Sequence, residues 1–179
     1  MNDKMSKFIK TLIIGMILSA IVEAINMGIR QGLWVGMILT VLIFYGIFIA
    51  FGYWFSLKTE ERPAIHFIVF GFIGLMFEWF IFGQVPWVPV HPLIIILIQT
   101  GMFSHWATAT FGPRFLLDEE HEVQGLKKSY LIFYVIGMSV VFIIGFLSSE
   151  KARGTILILG NVVVYTFLII WYVKFIKAH

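Results

Sequence analysis

The chain predicts an all-α membrane protein: a bundle of six transmembrane helices with short loops and both termini cytoplasmic. Three observations carry the prediction. Six apolar stretches of close to twenty residues fill almost all of the 179 residues, and a bilayer core of about 30 Å needs roughly 20 apolar residues per helix. Hydrophobic residues make up 60% and charged residues only 13% of the chain, which cannot clothe a soluble domain. The basic residues, finally, segregate to one side of the implied topology. Residues 1–179 therefore read as a single integral-membrane domain, with no room for a separate aqueous one.

The first span runs Phe8–Gly28 behind Lys4, Lys7 and Lys10. This resembles a signal peptide, and Val22-Glu23-Ala24 resembles a cleavage site. A glutamate in that position with five more spans behind it favours an uncleaved first helix. The second span, Leu33–Phe55, follows after only Ile29 to Gly32, so the two form a tight antiparallel hairpin. Ala20, Ala24, Gly28, Gly32 and Gly36 recur every four positions through it, the spacing of a face on which backbones approach closely. Ordinary packing within the bundle is the favoured explanation of this stripe, over a face that pairs copies into a homo-oligomer.

Ser56 to Pro63 joins the hairpin to the third span, Ala64–Phe82, with Pro63 suited to a first helical turn. The next connection carries Pro86, Pro89 and Pro92, a period of three that matches polyproline II. It predicts a stiff rim with Trp87 at the headgroups and Pro92 starting the fourth span, Leu93–Phe111. Gly112–Ser129 is predicted as the longest loop, followed by the fifth and sixth spans, Tyr130–Leu147 and Thr155–Phe175. Within that loop Asp118, His121 and Glu122 are metal-ligating types at i, i+3 and i+4. A charge run in a loop is ordinarily solvated, so no metal and no cofactor are assigned.

Orientation follows from Lys and Arg. The side with both termini holds Lys4, Lys7, Lys10, Lys58, Arg62, Arg114, Lys127, Lys128, Lys174 and Lys177. The other holds Arg30, Lys151 and Arg153. The positive-inside bias places the termini in the cytoplasm, with the plasma membrane as the expected location. Aromatic belts agree, with Trp34, Trp79 and Trp87 near the outer ends and Tyr53, Trp54, Trp106, Trp171 and Tyr172 near the inner ends. The net charge of +3 is spread over helix ends and points to no nucleic acid, only to membrane lipid. Absent cysteine excludes thiolate chemistry and Cys-held metals. No lysine lies mid-span, which argues against a retinal Schiff base, and no internal repeat marks two inverted halves.

Function is sought in the intramembrane polar residues. Glu23 and Glu78 are the acids within the spans, and a charge at the bilayer centre costs roughly 2.5–3.5 kcal/mol. At 1.5 Å per residue they lie about 9 Å and 6 Å below the outer boundary. Each continues a face of small residues, Gly15 and Ser19 before Glu23, Gly71 and Gly74 before Glu78. Asn26 follows Glu23 by a turn, Arg30 by two turns with a side chain long enough to reach back, and Gln99 falls at similar depth. A single polar layer of Glu23, Asn26, Glu78, Gln99 and Arg30 is the candidate site for a ligand or ion. Thr100, Ser104, His105 and Thr108 form a polar face on the fourth span, deeper than the glutamates, and are candidates for a path inward. His66 and His91 are expected at the interfaces. The favoured function is a carrier or channel for a proton, a cation or a small polar or amphiphilic solute. The alternatives are a membrane-embedded enzyme acting on a lipid or isoprenoid, with Glu78 and Glu23 or a histidine as acid and base, and a structural subunit of a membrane complex.

Overall fold

The computed structural model describes residues 3–59, 62–81 and 91–179, without the side chains of His121 and Glu122. Within them lie six helices long and apolar enough to cross a membrane: α1 Asp3–Ile29, α2 Trp34–Lys58, α3 Pro63–Phe80, α4 Pro92–Leu117, α5 His121–Leu147 and α6 Glu150–Ala178. The proline-rich rim and Trp87 fall outside the described residues. Pro63 and Pro92 occupy the first turns of α3 and α4, where a missing N–H costs nothing. His91 caps α4 by accepting from the Leu93 N–H at 3.3 Å.

Apolar residues face outward as well as inward. Ile13, Ile17, Phe72, Met76, Ile136 and Ile143 are all about half exposed or more, a pattern that fits lipid and not water. The core is aromatic: Phe67, Phe70, Phe111, Phe115, Tyr130, Tyr165 and Tyr172 are buried.

The helices alternate in direction, so both termini lie at one end, where Tyr53 bonds the Lys4 carbonyl and His179 meets Asp118. This is the termini end; the α1–α2 and α5–α6 turns mark the turn end. Gly32 makes the first of these turns with φ +71°, which suits glycine. The small-residue stripe of the hairpin packs internally, since Gly28 seats the Trp34 ring and Gly36 meets the Met27 methyl.

α4 is the hub, packing on α1, α2, α3 and α6. Glycines set its approach. A Cβ at Gly74 would fall 2.0 Å from Trp106 Cγ, and one at Gly101 would fall 2.8 Å from the Val162 carbonyl oxygen. A Cβ at Gly15 would fall 2.6 Å from the Ala109 carbonyl oxygen. Pro113, inside α4, deprives that carbonyl of its helical N–H donor. The α1 backbone thus packs closely on α4 at a carbonyl that lacks its helical donor.

Two expectations are corrected. Gly112–Ser129 is no loop: α4 runs on to Leu117 and α5 starts at His121, leaving Asp118–Glu120 between them. Polarity had suggested a loop, but Leu116, Leu117, Val123 and Leu126 keep a helical apolar face that continues the core. Trp106 and Tyr172 are not belt residues, since only 2% and 0% of their surface is exposed. Trp34 and Trp54 stay outward, as a belt requires.

Candidate functional site

Two short π-helical turns interrupt the hairpin helices, Ala24–Ile29 in α1 and Thr40–Tyr45 in α2. Such turns are rare and cluster at functional sites, because widening the helix shifts its side-chain register by one residue. Here they border a cavity of about 410 Å³, within the usual range for small-molecule sites. Glu23, Asn26, Arg30, Glu78, His105 and Asn161 line it with Tyr45, Trp106 and Tyr165.

The two glutamates are held through one aromatic pair. Tyr45 and Trp106 stack, with centroids 5.1 Å apart and planes at 15°. The Tyr45 hydroxyl donates to Glu23 Oε1 at 2.8 Å, and Trp106 Nε1 donates to Glu78 Oε1 at 3.0 Å. The Tyr45 oxygen also lies 2.8 Å from His105 Nε2. One hydroxyl therefore joins α1, α2 and α4 across the wall of the cavity. The stack fixes both carboxylates at little entropic cost, since aromatic side chains have few rotamers to lose.

Two polar atoms at this site have no hydrogen-bond partner among the described residues: His105 Nδ1 and Asn161 Oδ1. Buried groups left unpaired cost about 1–3 kcal/mol each, so they mark places where a ligand or water gains by binding.

The structure brings Glu23, Asn26, Glu78 and Arg30 to one cavity and departs from the remaining expectations. Gln99 lies apart, accepting from Trp79 Nε1 at 2.9 Å. Arg30 makes no ion pair with Glu23; its Nε donates to the Asn26 carbonyl at 3.3 Å, within its own helix. His105 was placed below the glutamates but belongs with them, because Tyr45 spans the difference in depth. Thr100 turns its hydroxyl back to the Ile96 carbonyl. Ser104 and Thr108 are buried away from the cavity lining, and Thr108 donates to the Ser104 carbonyl at 2.7 Å.

Thr108 belongs instead to a buried tyrosine network. Tyr172 donates to it at 2.9 Å and meets the Tyr130 hydroxyl at 2.8 Å. Tyr130 stacks on Tyr134, whose hydroxyl lies 2.9 Å from that of Tyr165 at the cavity wall. His66, three residues into α3, is fully buried among Phe55, Phe70 and Phe111, with neither ring nitrogen partnered among the described residues.

Sequence reasoning missed Tyr45, Trp106, Tyr165 and Asn161. Aromatic residues in a span fit lipid or core equally well, so nothing flagged the first three. Asn161 did offer a signal, as an amide within the apolar run Ile156–Val164.

A second cavity of about 200 Å³ opens at the termini end, lined by Lys7, Tyr53, Arg114, Asp118, Glu120 and His179. His179 Nε2 lies 3.2 Å from Asp118 and 3.5 Å from Glu120, three ligand types within 4.8 Å. Asp118 thus meets the C-terminal histidine; the side chains of His121 and Glu122, its expected companions, lie outside the described set. No protein-family model matches the chain, and no curated protein or solved structure matches it.

Proposed function

We propose that the chain is a small carrier in the plasma membrane, with cytoplasmic termini, that binds a cationic or polar solute between Glu23 and Glu78. The observation that carries this reading is the 410 Å³ cavity, where two carboxylates meet a histidine, two asparagines and an aromatic wall inside helices apolar enough to span a bilayer. Acids within membrane spans are costly to insert and ordinarily line a solute or proton path.

A carrier is favoured over an open channel by what lies between the cavities. Tyr45 lines the larger and Tyr53 the smaller, eight residues or about 12 Å apart along α2. Phe48, Ile49 and Gly52, between them, are buried against Phe70, Ala109 and Thr110. A solute crossing this plug needs the helices to shift, which is the behaviour of a carrier with a site open to one side at a time.

Native mass spectrometry of the detergent-released protein, wild type beside Glu78→Gln, tests the reading. A solute retained by the wild type and lost from the variant is expected. Two equally folded and equally empty proteins would remove the binding function.

A further inference from the structure

We propose that Glu23, Tyr45 and His105 form a proton-reversible relay that sets the hydrogen-bonding polarity of the cavity, and that an N–H-rich organic cation, of the guanidinium or primary ammonium class, competes with one proton for it. The proposal rests on the carrier reading and gives it a ligand class and a coupling ion.

Proton counting fixes the state of the relay. Tyrosine has one O–H, and here it points to Glu23 Oε1. The contact of 2.8 Å between the same oxygen and His105 Nε2 must then carry the histidine's proton, because an oxygen whose proton is committed can only accept. In neutral His105 the proton therefore sits on Nε2, and the unpartnered Nδ1 presents a lone pair. Asn161 Oδ1, also unpartnered, is an acceptor as well. With the two carboxylates the site offers acceptors on four helices: Glu23 of α1, Glu78 of α3, His105 of α4 and Asn161 of α6. The two carboxylates outnumber the one guanidinium of the lining, Arg30, so a ligand that satisfies these acceptors brings several N–H donors and a positive charge. The rings of Tyr45, Trp106 and Tyr165 supply faces that attract a cation, and a planar guanidinium suits both demands.

One proton inverts this pattern. A proton taken up at Nδ1 lets the Nε2 proton pass to the Tyr45 oxygen and the tyrosine proton pass to Glu23. Three protons then occupy the relay where there were two. The Glu23 carboxyl donates to Tyr45, Tyr45 donates to Nε2, and Nδ1–H has become a donor. No group other than Glu23 changes its charge, and the site has lost a negative charge and one acceptor together. Binding a donor cation and holding this proton are mutually exclusive, which is the linkage that proton–cation exchange requires.

The charged and titratable groups around the relay are few. Arg30 and Glu23 come from α1, Tyr45 from α2, Glu78 from α3, His105 from α4 and Tyr165 from α6; α5 approaches through Tyr134, bonded to Tyr165. Glu78 hydrogen-bonds Trp106 and not the relay, but its charge acts on Glu23 and Tyr45. Its ionisation therefore moves the pH at which the relay takes up its proton, while turning His105 still requires the Tyr45 contacts.

The test combines binding with a tautomer readout on the full chain in detergent. Propylguanidinium is titrated by calorimetry over a pH series with N-propylurea as the neutral match, and ¹⁵N-histidine spectra follow the His105 ring, assigned by its loss in His105→Gln. The expected result is selective binding of the cation that weakens about tenfold per pH unit below a midpoint. At that midpoint the neutral His105 ring switches from Nε2–H to Nδ1–H. Tyr45→Phe keeps both carboxylates and abolishes the tautomer switch. Cation binding with a His105 tautomer that never changes would overturn the relay and leave the carrier reading standing. Indifference to propylguanidinium while the native protein retains another solute would overturn the ligand class alone. A protein that retains no solute by native mass spectrometry fails the carrier reading itself.

Discussion

Gly74→Ala is the sharpest test of how the site is built. The new methyl would lie 2.0 Å from Cγ and 2.1 Å from Cβ of Trp106, and Cβ is tied to the α4 backbone, so no rotamer change relieves the clash. Reaching ordinary contact near 3.4 Å needs a shift of about 1.4 Å between α3 and α4. Overpacking of this kind costs about 1–3 kcal/mol. The same shift pulls Trp106 from Glu78, forfeiting a hydrogen bond to a charged group worth about 1.5–3 kcal/mol. The total of about 2.5–6 kcal/mol should appear as a lowered midpoint in reversible unfolding from mixed detergent micelles. Gly125→Ala is the matched control, because its methyl meets nothing within 4 Å on an exposed face of α5. It should stabilise by about 0.5–1 kcal/mol, the ordinary helical gain. Equal midpoints for the two variants would refute the claim that Gly74 sets the seat of Trp106 and hence the position of Glu78.

Three further outcomes are expected. Tyr172→Phe removes a buried hydroxyl shared by Tyr130 and Thr108 and should cost about 2–3 kcal/mol in the same unfolding assay, whereas Tyr53→Phe, with its exposed contact to Lys4, should stay within about 0.5 kcal/mol of wild type. His66→Phe deletes two nitrogens that are unpaired among the described residues from an aromatic cage and should raise stability by about 1 kcal/mol; a loss instead would mean that the imidazole makes a polar contact. Asn161→Leu fills one wall of the cavity and removes an unpartnered acceptor, so any solute held by the wild type should bind at least tenfold more weakly while folding is kept.

The six helices were legible in the sequence because a span is a local property. Crossing about 30 Å of hydrocarbon requires some twenty apolar residues in a row, and a window of that length can be read without knowing any neighbour. The same local logic found Glu23 and Glu78, since an acid in such a window is conspicuous wherever its helix ends up. It failed at 112–129, where charged residues interrupt the apolar run although Phe115, Val123 and Tyr130 keep both helices packed in the core and Lys127 itself is buried. It also failed to unite His105 with Glu23, because depth along a helix says nothing about rotation about its axis. Only the tertiary structure decided that Tyr45, 22 residues from Glu23 and 60 from His105, turns its hydroxyl to both. That decision belongs to Gly15, Gly74 and Gly101, whose missing side chains let α1, α3 and α6 settle against α4 at fixed rotations. A glycine in a span reads the same whether it faces lipid or a neighbouring backbone, and the difference between those two is the difference between a stripe of small residues and a binding site.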